Sequence, residues 1–244
     1  MILTIDIGNT RVKYAVFEIN TLLETKVSLI DELKNLIQNI LKTYSKINVI
    51  VCSSVGNTDN EALNFVSKSV AIHYITRDSK FPFQNNYSTP QTLGIDRMVL
   101  VAGAALQFPD YYKLIIDAGT CVTYDFIDEN NVYQGGAISP GVRLRYESMH
   151  NFTANLPLLT IEEPENVIGN STNQSLHSGV INGLRFEIEG YVNELITKNK
   201  KFIIILTGGD AIFLAKPLKN TIFANSNFLL ESLNSLYQYQ IKND

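Results

Sequence analysis

Ile2-Leu3-Thr4-Ile5-Asp6-Ile7-Gly8-Asn9-Thr10-Arg11-Val12-Lys13 carries a short apolar run into a carboxylate and then into a glycine turn. The same order returns at Leu114-Ile115-Ile116-Asp117-Ala118-Gly119-Thr120-Cys121-Val122-Thr123, with the two acids at positions 6 and 117, 111 residues apart. Each copy reads as a β-hairpin with the glycine at its tip, residues 11–17 and 122–127 alternating well enough to form the return strands. A bend of this kind needs no ligand, but an acid inside an otherwise apolar strand needs a reason. A carboxylate at a strand end, beside free backbone N–H groups and the Thr10 hydroxyl, suits Mg²⁺-phosphate chemistry: the acid holds the hydrated metal and the turn amides meet phosphate oxygens. Two such turns are expected to face each other across a nucleotide's phosphates.

The chain has 244 residues, which is long for one core and suits two domains; the repeat places them at 1–112 and 113–244. Apolar residues make up 45% and charged residues 18%, a globular balance rather than a disordered one. A net charge of −4, with scattered Lys and Arg, offers no electrostatic footprint for a nucleic-acid backbone, so no nucleic-acid partner is expected. The amino terminus shows no basic n-region or cleavage site and no apolar run reaches a membrane span, so a cytoplasmic protein without membrane contact is expected. Cys52 and Cys121 sit in apolar stretches without metal-ligand spacing and read as buried free thiols. His73, His150 and His177 are isolated, and none reads as a catalytic base.

Between the copies, apolar residues at helical spacing over 28–44 predict an amphipathic helix. A buried strand over 47–52, a helix with Ala62, Phe65 and Val66, and a strand near 70–75 follow. Strands alternating with helices indicate a mainly parallel sheet in an α/β layer fold. Residues 76–92 then form an irregular loop, long enough to be a binding loop. It delivers Leu93-Gly94-Ile95-Asp96-Arg97 to a helix start. Asp96 there complements the helix dipole; alternatively, the adjacent acid and guanidinium take a hydroxyl proton and clamp a substrate carboxylate.

After the second hairpin, a strand around 132–138 ends in Gly135-Gly136 and enters Ser139-Pro140-Gly141. Leu176, Val180, Leu184, Ile188, Tyr191 and Leu195 mark one long helix over 172–197, its apolar stripe serving as core or dimer seam, with Thr172 at or near the N-cap. Thr207-Gly208-Gly209-Asp210-Ala211 follows a buried strand; it is either a tight turn or a place where a planar ring or ribose lies against bare backbone. A final helix covers 227–239.

Together these features resemble the acetate and sugar kinase, chaperone and actin superfamily, and within it the type III pantothenate kinases, nearly end to end. Asp6-Ile7-Gly8-Asn9-Thr10 and Asp117-Ala118-Gly119-Thr120 resemble that family's two phosphate motifs. Leu93-Gly94-Ile95-Asp96-Arg97 with Tyr87 resembles its pantothenate segment, and Gly135-Gly136-Ala137-Ile138-Ser139-Pro140-Gly141 and Thr207-Gly208-Gly209-Asp210-Ala211 complete the order. The resemblance implies two duplicated ribonuclease-H-like domains of the actin-like ATPase type, with ATP in the cleft between them. It implies ATP-dependent phosphorylation of pantothenate, the first step of coenzyme A biosynthesis. Asp96 would be the general base, and Tyr87, Gly94, Ile95 and Arg97 would hold pantothenate. Asp6, Ile7, Gly8, Asn9, Thr10, Arg11, Val12, Lys13, Thr120, Gly208, Gly209 and Asp210 would bind ATP. Mg²⁺ would sit by Asp6 through water and a monovalent cation, K⁺ or NH₄⁺, at Asp117; Thr172 would reach pantothenate across a homodimer. Cys121 and Ser232 depart from the pattern, standing where a small residue such as Ala and a Gly are expected. Two alternatives remain: a kinase of another small molecule in the superfamily, and a non-catalytic accessory transcription factor on the same fold.

Overall fold

The computed structural model of the chain describes residues 1–8, 11–53, 63, 66, 70–196, 201–215 and 222–243. They form two units, one of Met1–Pro109, Asn130–Tyr133 and Asn227–Asp244, the other of Asp110–Glu129 and Gln134–Ser226. This differs from a division at 112/113, because a short segment before Gln134 and the carboxy-terminal helix both return to the first unit.

The first unit is a five-stranded sheet in the order β3-β2-β1-β4-β5, made of β1 (Ile2–Ile7), β2 (Arg11–Glu18), β3 (Thr21–Leu29), β4 (Val49–Ser53) and β5 (Ala71–Ile75). β1, β2 and β3 are antiparallel neighbours, while β4 and β5 continue parallel to β1. The sheet is therefore mixed, not mainly parallel: the hairpin that carries the first turn supplies its antiparallel half. β3 was not expected, and its last residues fall where the sequence predicted the start of a helix; α1 (Leu33–Thr43) begins later. As an edge strand β3 buries little, so its alternation is weak. Glu24 ties it down by accepting the hydroxyls of Tyr14 at 2.7 Å and Tyr44 at 2.8 Å.

On one face of this sheet α1 buries Leu33, Ile37 and Ile40, one side of a helix, against Leu3, Ile5, Val12, Val16 and Ile50. α2 (Ile95–Gln107) is buried on nearly every side, since α7 (Phe228–Asn243) packs along it and against β1, β2 and β4. The α2–α7 approach is close. A Cβ on Gly103 would come within 1.9 Å of the Ser232 hydroxyl, so Ser232 fits because Gly103 has no side chain. β6 (Gln84–Asn85) interrupts the expected loop and pairs in parallel with Val132 and Tyr133. The helix expected around Ala62 and Phe65 lies outside the described residues.

The second unit repeats the plan. Its strands β7 (Tyr112–Ala118), β8 (Cys121–Ile127), β9 (Val132–Pro140), β10 (Phe202–Thr207) and β11 (Ile222–Ala224) follow the order β9-β8-β7-β10-β11. β7 pairs antiparallel with β8 and parallel with β10, as β1 does with β2 and β4. β9 does not end at Gly135-Gly136 but runs through them to Pro140. α3 (Val142–Asn151), which the sequence reading missed, buries only Val142 and Tyr146 and so shows little apolar periodicity. The long helix is α4 (Thr172–His177) and α5 (Gly183–Leu195), joined by a π-turn over Ser178–Asn182, with Leu176, Val180, Leu184, Ile188 and Val192 in the core. α6 (Ala211–Ala215) follows β10. Neither cysteine is in a disulfide; Cys52 is buried as expected, whereas Cys121, opening β8 beside the turn, is exposed. Among the described residues, no helix is long and apolar enough to cross a membrane.

Candidate active site

The two acid-glycine turns are built alike. Asp6 lies opposite Lys13 on β2 and beside Ser53 on the parallel strand β4; Asp117 lies opposite Thr123 on β8 and beside Thr207 on the parallel strand β10. Each carboxylate thus ends a central strand next to a hydroxyl on its parallel neighbour. Each glycine closes its turn, Gly8 N–H donating to the Arg11 carbonyl at 2.9 Å and Gly119 N–H to the Cys121 carbonyl at 3.0 Å. Those two amides are therefore engaged within their turns; among the described residues beside them, Arg11 and Thr120 are exposed and Lys13 is half-buried. Ile7 and Val12 are buried in the core, and Asn9 and Thr10 lie outside the described residues.

In the first unit, Asp6 and Asp96 belong to one electrostatic neighbourhood. Burial pushes the Asp6 carboxyl above its ordinary value, against the pull of Lys13, and the negative charge of Asp96 adds to the rise, while the Ser53 hydroxyl opposes it from 3.4 Å. Asp96 sits in the first turn of α2 behind its N-cap, Gly94, and one carboxylate oxygen accepts the Arg97 amide at 2.9 Å. That bond is the helix-start role; the carboxylate's second oxygen leaves room for another task. Ile95 is buried in the core.

Arg97 is buried as well. Its Nη2 donates to the Tyr133 hydroxyl at 2.9 Å and its guanidinium lies 5.9 Å from the centre of the Tyr87 ring. Tyr133, a residue the sequence reading overlooked, also fixes the Tyr87 loop: its carbonyl accepts the Asn86 amide at 3.1 Å, and its ring stands 6.0 Å from that of Tyr87. The signal was faint, an aromatic residue two positions before Gly135-Gly136. Asp96, Arg97, Tyr87 and Tyr133 thus form one cluster, with Asp6 within electrostatic reach.

In the second unit, the Thr207-Gly208-Gly209-Asp210 segment folds over Asp117. Gly208 has φ +95°, and a Cβ there would lie 2.4 Å from the Ala118 carbonyl oxygen and 2.5 Å from Asp117 Oδ1. The Asp210 amide donates to the Ala118 carbonyl at 3.1 Å. A carboxylate and a carbonyl oxygen crowded around a bare backbone form a hard, oxygen-only donor set, which suits an alkali or alkaline-earth cation and not a soft metal. Among the described residues, no three of His, Cys, Asp or Glu gather as an all-protein metal cage; a hydrated ion held by one carboxylate and a phosphate needs none. Gly141 also meets the turn, its amide donating to the Thr120 carbonyl at 2.9 Å. Thr172 is the first residue of α4, after the true N-cap Ser171, whose hydroxyl accepts the Gln174 amide at 3.3 Å. It is exposed on the second unit, in a cleft of about 700 Å³ with Met149, Leu156 and Gly169.

Residues 2–194 match the model of the type III pantothenate kinase family. The chain is 67% identical over 240 residues to a type III pantothenate kinase of Flavobacterium psychrophilum, covering 98% of this chain and all of that one. It is 57% identical over 244 residues to that of Flavobacterium johnsoniae, covering both completely. Among solved structures, a conserved Baf family protein from Campylobacter jejuni superposes with a TM-score of 0.68 at 21% identity, covering 98% of this chain and 99% of that one. The activator of 2-hydroxyisocaproyl-CoA dehydratase from Clostridium difficile, solved with bound ADPNP, gives 0.56 at 10% identity, covering 99% and 94%. At such identities the structures speak for the fold alone, the two-domain α/β fold of actin-like ATPases and sugar kinases.

Proposed function

The chain belongs to the type III pantothenate kinase family, and from that premise we propose that it transfers the γ-phosphoryl group of ATP to the primary hydroxyl of pantothenate. The products are 4′-phosphopantothenate and ADP, in the first step of coenzyme A biosynthesis. The observation that carries the reading is the grouping of Asp96, Arg97, Tyr87 and Tyr133 beside Asp6 in one unit.

In this reading Arg97, fixed by Tyr133 and flanked by the Tyr87 ring, holds the pantothenate carboxylate as a planar fork. Asp96 takes the hydroxyl proton as the new O–P bond forms and the bond to the leaving ADP oxygen breaks. Phosphoryl transfer of this kind depends chiefly on positioning and on neutralising charge. Lys13, Arg11 and Thr120 supply donors to the ATP phosphates, and Gly208, Gly209 and Asp210 accept the adenosine against bare backbone. The donor sets suit the implied ions: Asp6 would hold hydrated Mg²⁺, and Asp117 with the Ala118 carbonyl would hold K⁺ or NH₄⁺. These ions supply charge neutralisation at the phosphates. Burial of Asp6 raises its carboxyl pKa, and a bound cation would favour the ionised form. The enzyme acts in the cytoplasm as a homodimer, Thr172 of each copy completing the pantothenate site of the other.

The test is product formation with purified protein, ATP, Mg²⁺ and K⁺. Phosphopantothenate is the expected product, with lower turnover when Na⁺ replaces K⁺. Turnover of a sugar or acetate with none of pantothenate would overturn the choice of acceptor.

A further inference from the structure

Gly141 touches the second turn so closely that any shift of residues 139–141 is transmitted to it. A Cβ at Gly141 would lie 2.0 Å from the Gly119 carbonyl oxygen and 2.6 Å from that of Thr120, so backbone rests on backbone. Something must therefore hold residues 139–141 in place, and one side chain grips them. From the first turn of α3, Arg145 Nε donates to the Pro140 carbonyl at 2.8 Å and its Nη2 donates to the Ser139 hydroxyl at 2.7 Å.

The guanidinium is itself held. Its Nη2 pairs with Glu187 of α5 at 2.5 Å, and the other Glu187 oxygen accepts the Tyr124 hydroxyl at 2.7 Å. The ring of Tyr124 is buried in β8, the return strand of the same hairpin. Burial opposes ionisation of Glu187, yet the bonds from Arg145 and Tyr124 outweigh it and hold its carboxyl below the ordinary value. The network thus closes on itself within the second unit: β8 to Tyr124, Glu187, Arg145, residues 139–141, and back to the turn between β7 and β8. Arg143, two residues earlier, offers a contrast. Its side chain is 80% exposed and, among the described residues, pairs along its own helix with Glu147 at 2.6 Å, an arrangement worth little.

We propose that Arg145 is a positioning residue for the nucleotide side of the site: held by Glu187 and Tyr124, it fixes Ser139-Pro140-Gly141 and through Gly141 the Gly119-Thr120 turn. The inference rests on the assignment of that turn to the ATP phosphates. The planar fork matters, since three acceptors lie at fixed angles around one guanidinium and a lysine ammonium would have to choose among them.

Steady-state kinetics of Arg145→Met, with ATP and pantothenate varied separately, supply the test, alongside calorimetric binding of a non-hydrolysable ATP analogue and thermal unfolding. The expected result is a rise of about 10- to 100-fold in the ATP KM and in the analogue's Kd, the order of effect that small misplacements produce. The pantothenate KM is expected to be unchanged, and Arg143→Met to match wild type. A folded Arg145→Met with wild-type ATP affinity overturns the proposal, as does a parallel loss in both substrates. Should Arg145→Met fail to fold, Glu187→Gln carries the same comparison: weaker analogue binding supports the proposal and wild-type binding overturns it. If wild type binds the analogue but leaves pantothenate unphosphorylated, the functional reading fails while the analogue affinities still decide the role of Arg145. If wild type binds no analogue, both fall.

Discussion

Gly141→Ala perturbs the account where it is most exposed. An sp³ carbon and a carbonyl oxygen normally approach to about 3.3 Å, whereas the new Cβ would start 2.0 Å from the Gly119 oxygen and 2.6 Å from the Thr120 oxygen. Both atoms are backbone, so no side chain can rotate away; the turn or the start of α3 must move by roughly 1 Å. A displacement of that size costs catalysis on the order of 10²-fold, equivalent to about 2.7 kcal/mol of transition-state stabilisation. Overpacking adds an estimated loss of about 1–3 kcal/mol in folding stability, and the Gly141–Thr120 hydrogen bond, 2.9 Å in the wild type, is stretched as well. Urea unfolding and steady-state kinetics separate the two effects. The variant should unfold at lower denaturant, and at a temperature where it remains folded its kcat/KM for ATP should fall about 10²-fold. Wild-type stability together with wild-type ATP kinetics would refute the backbone-on-backbone contact from which the argument starts.

Tyr133→Phe removes the hydroxyl that accepts Arg97 Nη2 at 2.9 Å; a bond to a charged group is worth about 1.5–3 kcal/mol, so the pantothenate KM should rise at least tenfold while the ATP KM stays put. An unchanged pantothenate KM would remove Tyr133 from the acceptor site. Gly103→Ala places a Cβ 1.9 Å from the Ser232 hydroxyl and 3.1 Å from its Cα, which should cost about 1–3 kcal/mol. Ser232→Gly in the same chain should restore most of that loss, and strictly additive effects in chemical denaturation would contradict the contact. Burial lowers the Lys113 pKa to about 8, against the pull of Asp128, Asp110 and Glu129. Between about pH 8 and the ordinary lysine value of 10.5, the unfolded chain therefore holds a proton that the folded chain lacks, and stability rises with pH. Lys113→Met should lose that part of the slope, and identical pH profiles of the unfolding free energy would show that the shift is absent.

The parts of this molecule that were legible in the sequence are those where local chemistry and tertiary role agree. Asp6 and Asp117 announce themselves because an acid in a buried strand has no structural excuse, and the hairpins that follow are set by their glycines. The edge strand β3 was hidden because residues such as half-buried Glu24 and exposed Lys26 carry no alternation, and α3 because it buries only two side chains. The return of α7 to the first unit depends on Gly103 and Ser232 meeting across more than a hundred residues, which no local pattern encodes. In the site, residue types marked Asp96 and Arg97, but not Tyr133, whose part depends on where β9 places its hydroxyl. Nor does sequence show that the Gly8 and Gly119 amides are consumed inside their own turns. Ile7, Val12 and Ile95 came with their motifs although their side chains serve the core.

The central claim is that Asp96 draws the proton from pantothenate while separate groups hold the nucleotide. Its most direct measurement is pantothenate phosphorylation by Asp96→Asn, with ATP-analogue affinity determined on the same preparation. The account predicts wild-type affinity for the analogue and turnover lower by about 10²–10⁴-fold. Full turnover in Asp96→Asn would contradict it.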